Sequence, residues 1–168
     1  MNKLDALLDL AKNEEIEIYY TDKITDDIKG LYINKQGLKI ISLLNSLKQN
    51  KTKLIEILAE ELGHHFTSVG DYVSSENSYK NKILIDKTEE KALRWAGEFL
   101  LAEEEIIHVI NSYATNVYEI AEELQVSVKF LLKRLEFLSR KKNMLDLGNN
   151  RFLVLTSLPN FYIYEDIF

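Results

Sequence analysis

Cysteine is absent from the 168 residues, which excludes disulfides and thiolate metal sites and leaves His, Asp and Glu to hold any metal. That fits a reducing cytoplasm, the expected location. A basic surplus is also lacking. With 21 Lys and Arg against 27 Asp and Glu, the net charge of −6 gives no general means of neutralising phosphates, so a protein or peptide partner fits better than nucleic acid. Long apolar runs are missing as well: Asp5 and Asp9 interrupt Leu4, Leu7, Leu8 and Leu10 at the start, so neither a signal peptide nor a membrane span is expected. There is no internal repeat, low-complexity run or Pro/Gly-rich linker. At 46% apolar composition the chain is long enough for one substantial core and too short for two comfortable domains, so a single compact unit over residues 1–168 is expected.

Hydrophobic spacing divides the chain into segments. Leu4, Leu7, Leu8 and Ala11 mark one helical face, and Ile16, Ile18 and Tyr20 then alternate with polar neighbours as in a strand. Two further strands flank the turn Asn34-Lys35-Gln36-Gly37, so residues 15–44 read as a small, mostly antiparallel sheet. From Lys51 the period becomes helical, through Leu54, Leu58, Leu62 and Phe66. A polar stretch from Thr67 to Lys82 reads as a surface excursion, and Ile83-Leu84-Ile85 as a short strand. Asp86 or Thr88 then caps a helix with Ala92, Trp95, Ala96, Phe99 and Leu100 on one stripe. Helices follow over Glu103–Asn111, Val117–Leu124 and Ser127–Ser139, and two strands over Phe152–Leu155 and Phe161–Tyr164.

The chemistry concentrates in Glu60-Glu61-Leu62-Gly63-His64-His65. At about 100° per residue, Glu60 and His64 share one helical face, near −160° and −120° from Leu58, outside the apolar stripe that spans roughly −40° to +80°. His65, at about −20°, falls inside that stripe and is assigned to packing. Glu61, at about −60°, lies between the two faces, at the general-base position of a His-Glu-x-x-His helix. Two readings stand side by side: one ion reached by both Glu60 and His64, or an ordinary exposed i,i+4 pair. A metal needs a third ligand. Glu89 lies on the apolar stripe of its own helix, where a carboxylate wants a partner; a first-turn Glu completing a capping box with Asp86 is the alternative.

Taken in order, a small sheet, then Ala59-Glu60-Glu61-Leu62-Gly63-His64, then Glu89-Glu90-Lys91-Ala92-Leu93-Arg94-Trp95-Ala96 resemble the ImmA/IrrE family of zincin-type metallo-endopeptidases. The resemblance covers roughly residues 15–138. It implies an α+β fold: a zincin-like core over residues 1–112, with a small sheet packed on an active-site helix, and a helical hairpin and short β tail over 113–168 packed on that core. It implies His64 and Glu89 as metal ligands, Glu60 at the place of the family's first ligand His, and Glu61 as catalytic base. The cofactor implied is Zn²⁺. Because Glu60 replaces a His, Mn²⁺ or another hard divalent ion competes better than usual. Ala102 stands where the family often has proline, at a helix end. The implied activity is cleavage of a helix-turn-helix repressor of a phage or mobile element.

Two other functions compete with that one. Glu60 could mark a zincin scaffold that has lost catalysis and works as an anti-repressor by binding. Alternatively, residues 120–131 could be read as the helix-turn-helix of a DNA-binding regulator, although Glu119, Glu122 and Glu123 oppose it. Lys133, Arg134, Arg140, Lys141 and Lys142 read as a solvated basic face, and His108 as a partly buried structural residue.

Overall fold

A computed structural model describes residues 2–24, 27–68, 79–112 and 116–166, with residues 79–84 described as backbone. The fold is α+β, and the chain forms two compact units, residues 1–96 and 97–168.

In the first unit, α1 (Lys3–Asn13) starts at Asn2, whose side chain accepts a hydrogen bond from the Asp5 N–H, and it buries Leu7 and Ala11. Three strands follow: β1 (Glu17–Thr21), β2 (Gly30–Lys35) and β3 (Leu38–Leu44). The order is β1-β3-β2, with β1 parallel and β2 antiparallel to β3. The sheet is therefore mixed, a correction to the mostly antiparallel expectation. Alternation reveals a strand but carries no information about its direction. The β2–β3 hairpin turns on Gln36 and Gly37, both at positive φ, as a two-residue hairpin loop requires.

A short 3-10 turn, Asn45–Gln49, leads to α2 (Lys51–Thr67), capped by the Asn50 side chain. This helix buries Leu54, Ile55, Leu58 and Leu62, and packs on β2 and α1. Phe66, expected on the buried stripe, is 40% exposed and stacks on Trp95 instead.

Helix α3 (Tyr79–Leu100) runs from the first unit into the second. The backbone of residues 83–85 is helical, not a strand: three apolar residues are too few to fix a period. Asp86 and Thr88 accordingly sit inside the helix rather than at its cap. Most of the polar stretch from Thr67 to Lys82 lies outside the described residues.

The second unit holds α4 (Glu103–Ser112), α5 (Val117–Glu123), α6 (Val128–Ser139) and an antiparallel sheet of β4 (Met144–Gly148), β5 (Arg151–Val154) and β6 (Tyr162–Glu165) in that order. Asn116 and Ser127 cap α5 and α6. Strand β4 was not expected, although Leu145 and Leu147 alternate inward along it. Two single residues also differ from expectation. His108 is exposed, and Arg134 is buried at 6% exposure rather than solvated. Ala102 lies between α3 and α4. No helix among the described residues is long and apolar enough to cross a membrane.

Candidate metal centre

Within the first unit, α2, β2 and the part of α3 up to Ala96 converge at the candidate site. Close approach of α2 to α3 depends on Gly63, where a Cβ would stand 2.9 Å from the Ala92 Cα. With no side chain between the helices, His64 reaches across to Glu89, and its Nε2 lies 3.4 Å from Glu89 Oε2. His64 is largely sheltered at 17% side-chain exposure, and Glu89 is open at 54%. Glu60 is one turn back on the same face of α2, near enough for the Glu89 charge to act on it.

Glu61 occupies a different position. Only 7% exposed, it turns toward the sheet, where its Oε2 accepts a hydrogen bond of 2.8 Å from the backbone N–H of Tyr32. Among the described residues strand β2 lies at the edge of its sheet, so this N–H is available for a carboxylate. Gly30 makes the room: a Cβ there would fall 2.6 Å from Glu61 Oε1 and 2.6 Å from Ile57 Cγ2.

The electrostatics follow from three carboxylates gathered around one imidazole. Burial pushes the Glu61 carboxyl up to about 7; the Glu60 and Glu89 charges add to this, while His64 and the Tyr32 N–H oppose it. Glu60 is also raised, first by burial and then by Glu89. For His64, burial is the largest single influence and favours the neutral ring, but the Glu89 hydrogen bond and the Glu89, Glu61 and Glu60 charges together outweigh it, so its pKa is raised.

The four residues singled out in the sequence thus lie in one neighbourhood, with His64 and Glu89 in contact, Glu60 beside them and Glu61 set back against β2. Among the described residues, no three His, Asp or Glu side chains are already gathered tightly enough to enclose an ion. An imidazole with surplus carboxylate is nonetheless the donor chemistry of a divalent cation, and the mutual repulsion of the carboxylates is what a cation relieves.

Sequence reasoning missed Tyr32 and Gly30, and it gave His65 to packing alone. His65 is sheltered, but both ring nitrogens have polar partners: Nδ1 is 2.8 Å from the Tyr32 hydroxyl and Nε2 is 3.1 Å from Glu14 Oε2. A glycine opening a strand was the one available signal, since it often marks close backbone approach.

Residues 11–136 match the model of a peptidase family described as the IrrE N-terminal-like domain. No curated protein matches the sequence. Among solved structures, a Mycobacterium tuberculosis transcriptional regulator is similar, with a TM-score of 0.51 and 19% identity over 90% of this chain and 45% of that one. The chain therefore spans under half of that regulator's length, and at this identity the likeness concerns the fold.

Proposed function

Because the chain belongs to the IrrE N-terminal-like domain family, whose match runs through every residue of the candidate site, we propose that it is a metal-dependent endopeptidase with a zincin-like core. In this reading Glu60, His64 and Glu89 hold a divalent ion and Glu61 is the base. The observation that carries it is Glu61 itself, a buried carboxylate fixed at one oxygen by the Tyr32 N–H and raised to about 7. A general base is most effective with a pKa near the working pH.

When bound, a divalent ion supplies Lewis acidity toward water and a peptide carbonyl. The remaining steps fall to the chain. Glu61, held at Oε2, takes the proton of the attacking water at Oε1 and delivers it to the departing amine. Glu60 in place of an imidazole makes the ligand set more anionic, which weakens the acidifying power of the ion and favours harder ions such as Mn²⁺ beside Zn²⁺. The substrate class is a protein, and the family resemblance points to a helix-turn-helix repressor of a mobile element in the cytoplasm.

A regulator that grips DNA through α5 and α6 is the weaker reading, because basic side chains near α6 are engaged by carboxylates: Lys133 and Arg140 with Glu136, Lys141 with Glu98, and Lys142 with Glu103.

The test combines metal content and cleavage. After dialysis against equimolar Zn²⁺ and Mn²⁺, the wild type is expected to retain one ion per chain and His64→Ala and Glu89→Ala to lose it. Glu61→Gln should keep the ion but lose about 10²-fold to 10⁴-fold in cleavage of a peptide library. A wild type that retains no metal, or a Glu61→Gln variant that cleaves at the wild-type rate, overturns the reading.

A further inference from the structure

Helix α1 ends beside the site, and its last turn delivers a carboxylate. Glu14 is the C-cap residue of α1, with its N–H on the Leu10 carbonyl, and its own carbonyl accepts a 2.9 Å hydrogen bond from Lys39 Nζ on β3. Anchored on both sides, Glu14 directs Oε2 at His65 Nε2, 3.1 Å away. The opposite ring nitrogen, Nδ1, is 2.8 Å from the Tyr32 hydroxyl, and the two rings meet edge to face at 5.5 Å. An ionised carboxylate can only accept, so the neutral ring carries its proton on Nε2, donates to Glu14, and accepts the Tyr32 O–H at Nδ1.

The chain of contacts continues through the backbone. Tyr32 is the residue whose N–H holds Glu61, so α1, α2 and the edge strand β2 are tied by Glu14–His65–Tyr32 at the residue that orients the buried carboxylate. Among the described residues, β2 has a neighbouring strand on one side only. On its open side the Tyr32 N–H is held by a side chain of α2, and the Tyr32 side chain is held by the next residue but three on that same helix.

We propose that Glu14, His65 and Tyr32 form a hydrogen-bonded brace that fixes the β2 edge so that the Tyr32 N–H stays on Glu61. Glu14 and His65 are then positioning residues, acting through Tyr32. The proposal rests on the reading of Glu61 as the base, and its primary test is independent of turnover.

Hydrogen exchange of the Tyr32 amide in the full chain, resolved by NMR, reads the brace directly, with the buried Ile41 and Leu58 amides as internal references. His65→Ala and Tyr32→Phe are expected to speed Tyr32 exchange by about tenfold while the reference amides hold, since both variants remove the Tyr32–His65 hydrogen bond that keeps the edge in place. Glu14→Gln keeps an acceptor for Nε2–H and should stay near wild type, whereas Glu14→Ala should follow His65→Ala. A merely structural role would speed Ile41 and Leu58 in step with Tyr32. That outcome, or an unchanged Tyr32 amide in both His65→Ala and Tyr32→Phe, overturns the brace. Peptide cleavage measured alongside separates the two claims. If Glu61→Gln cleaves like wild type, the endopeptidase reading fails while the exchange result still decides the brace. If Glu61→Gln is inactive and His65→Ala lowers kcat with KM kept, both stand.

Discussion

Helices α2 and α6 each bury a charged residue against a glycine, and they treat it in opposite ways. On α6, Arg134 is 6% exposed; its Nε donates to the Leu101 carbonyl at 3.1 Å, Glu98 lies 3.8 Å away, and a Cβ at Gly97 would stand 3.2 Å from its Cδ. Burial lowers its pKa, and the Glu98, Glu103 and Glu104 charges oppose that shift. On α2, Glu61 is 7% exposed beside Gly30, but its carboxylate neighbours Glu60 and Glu89 share its sign. Burial works against the charged form of both groups. At Arg134 opposite charges and a carbonyl offset that cost, whereas at Glu61 the like charges of Glu60 and Glu89 add to it against His64 and the Tyr32 N–H, and a carboxyl moved to about 7 is suited to chemistry.

The largest effect that would break this contrast belongs to α6. Arg134→Met strands the Leu101 carbonyl and removes one of the two cations beside Glu98, and should cost about 2–4 kcal/mol by denaturant unfolding; a loss under about 1 kcal/mol would mean that the Arg is as dispensable as a surface residue. Next, Gly63→Ala drives a Cβ into the Ala92 backbone, which cannot swing aside as a side chain would. We expect about 1–3 kcal/mol of destabilisation and, because α2 and α3 must separate, weaker metal retention through the His64–Glu89 pair.

Glu61→Gln should have the opposite sign. The folded carboxyl binds its proton more tightly than the unfolded one, whose ordinary value is 4.5, so between pH 4.5 and about 7 the wild type loses stability as pH rises. Gln keeps an acceptor for the Tyr32 N–H without the charge. The metal-free variant should therefore match wild type at pH 4 and exceed it by about 1–3 kcal/mol at pH 8, the range set by a shift of this size. Equal stability at both pH values would mean that the carboxylate is not strained.

What was legible in the sequence follows from which interactions leave a trace in side-chain order. Leu54, Leu58 and Leu62 announce α2 because burial repeats with the helical period. The helix alone could not join Glu89 to His64, 25 positions on; the motif order of the resemblance did that. Tyr32 was invisible because what it offers Glu61 is a backbone N–H, which every residue but proline has. His65 was half-read: its angle placed it correctly toward the interior, but its partners Tyr32 and Glu14 come from 33 and 51 residues away. The parallel pairing of β1 with β3 was hidden for a similar reason, since alternation looks the same in either direction.

The smallest predicted effect tests whether the contrast extends to the surface of the second unit. Lys141 pairs with Glu98 at 3.3 Å, but the two side chains are 60% and 45% exposed, so solvent screens the attraction and ordering two long side chains offsets much of it. Glu98 also keeps Arg134 nearby when Lys141 is removed. Lys141→Ala should therefore change stability by less than about 0.5 kcal/mol, with even that difference fading in 1 M salt. A loss above about 1 kcal/mol that vanishes in salt would show Arg134, Glu98 and Lys141 acting as one network. The buried Arg would then depend on its surface neighbours as strongly as Glu61 depends on Glu60 and Glu89, and the distinction between a structural and a chemical buried charge would no longer follow from the sign of the neighbours alone.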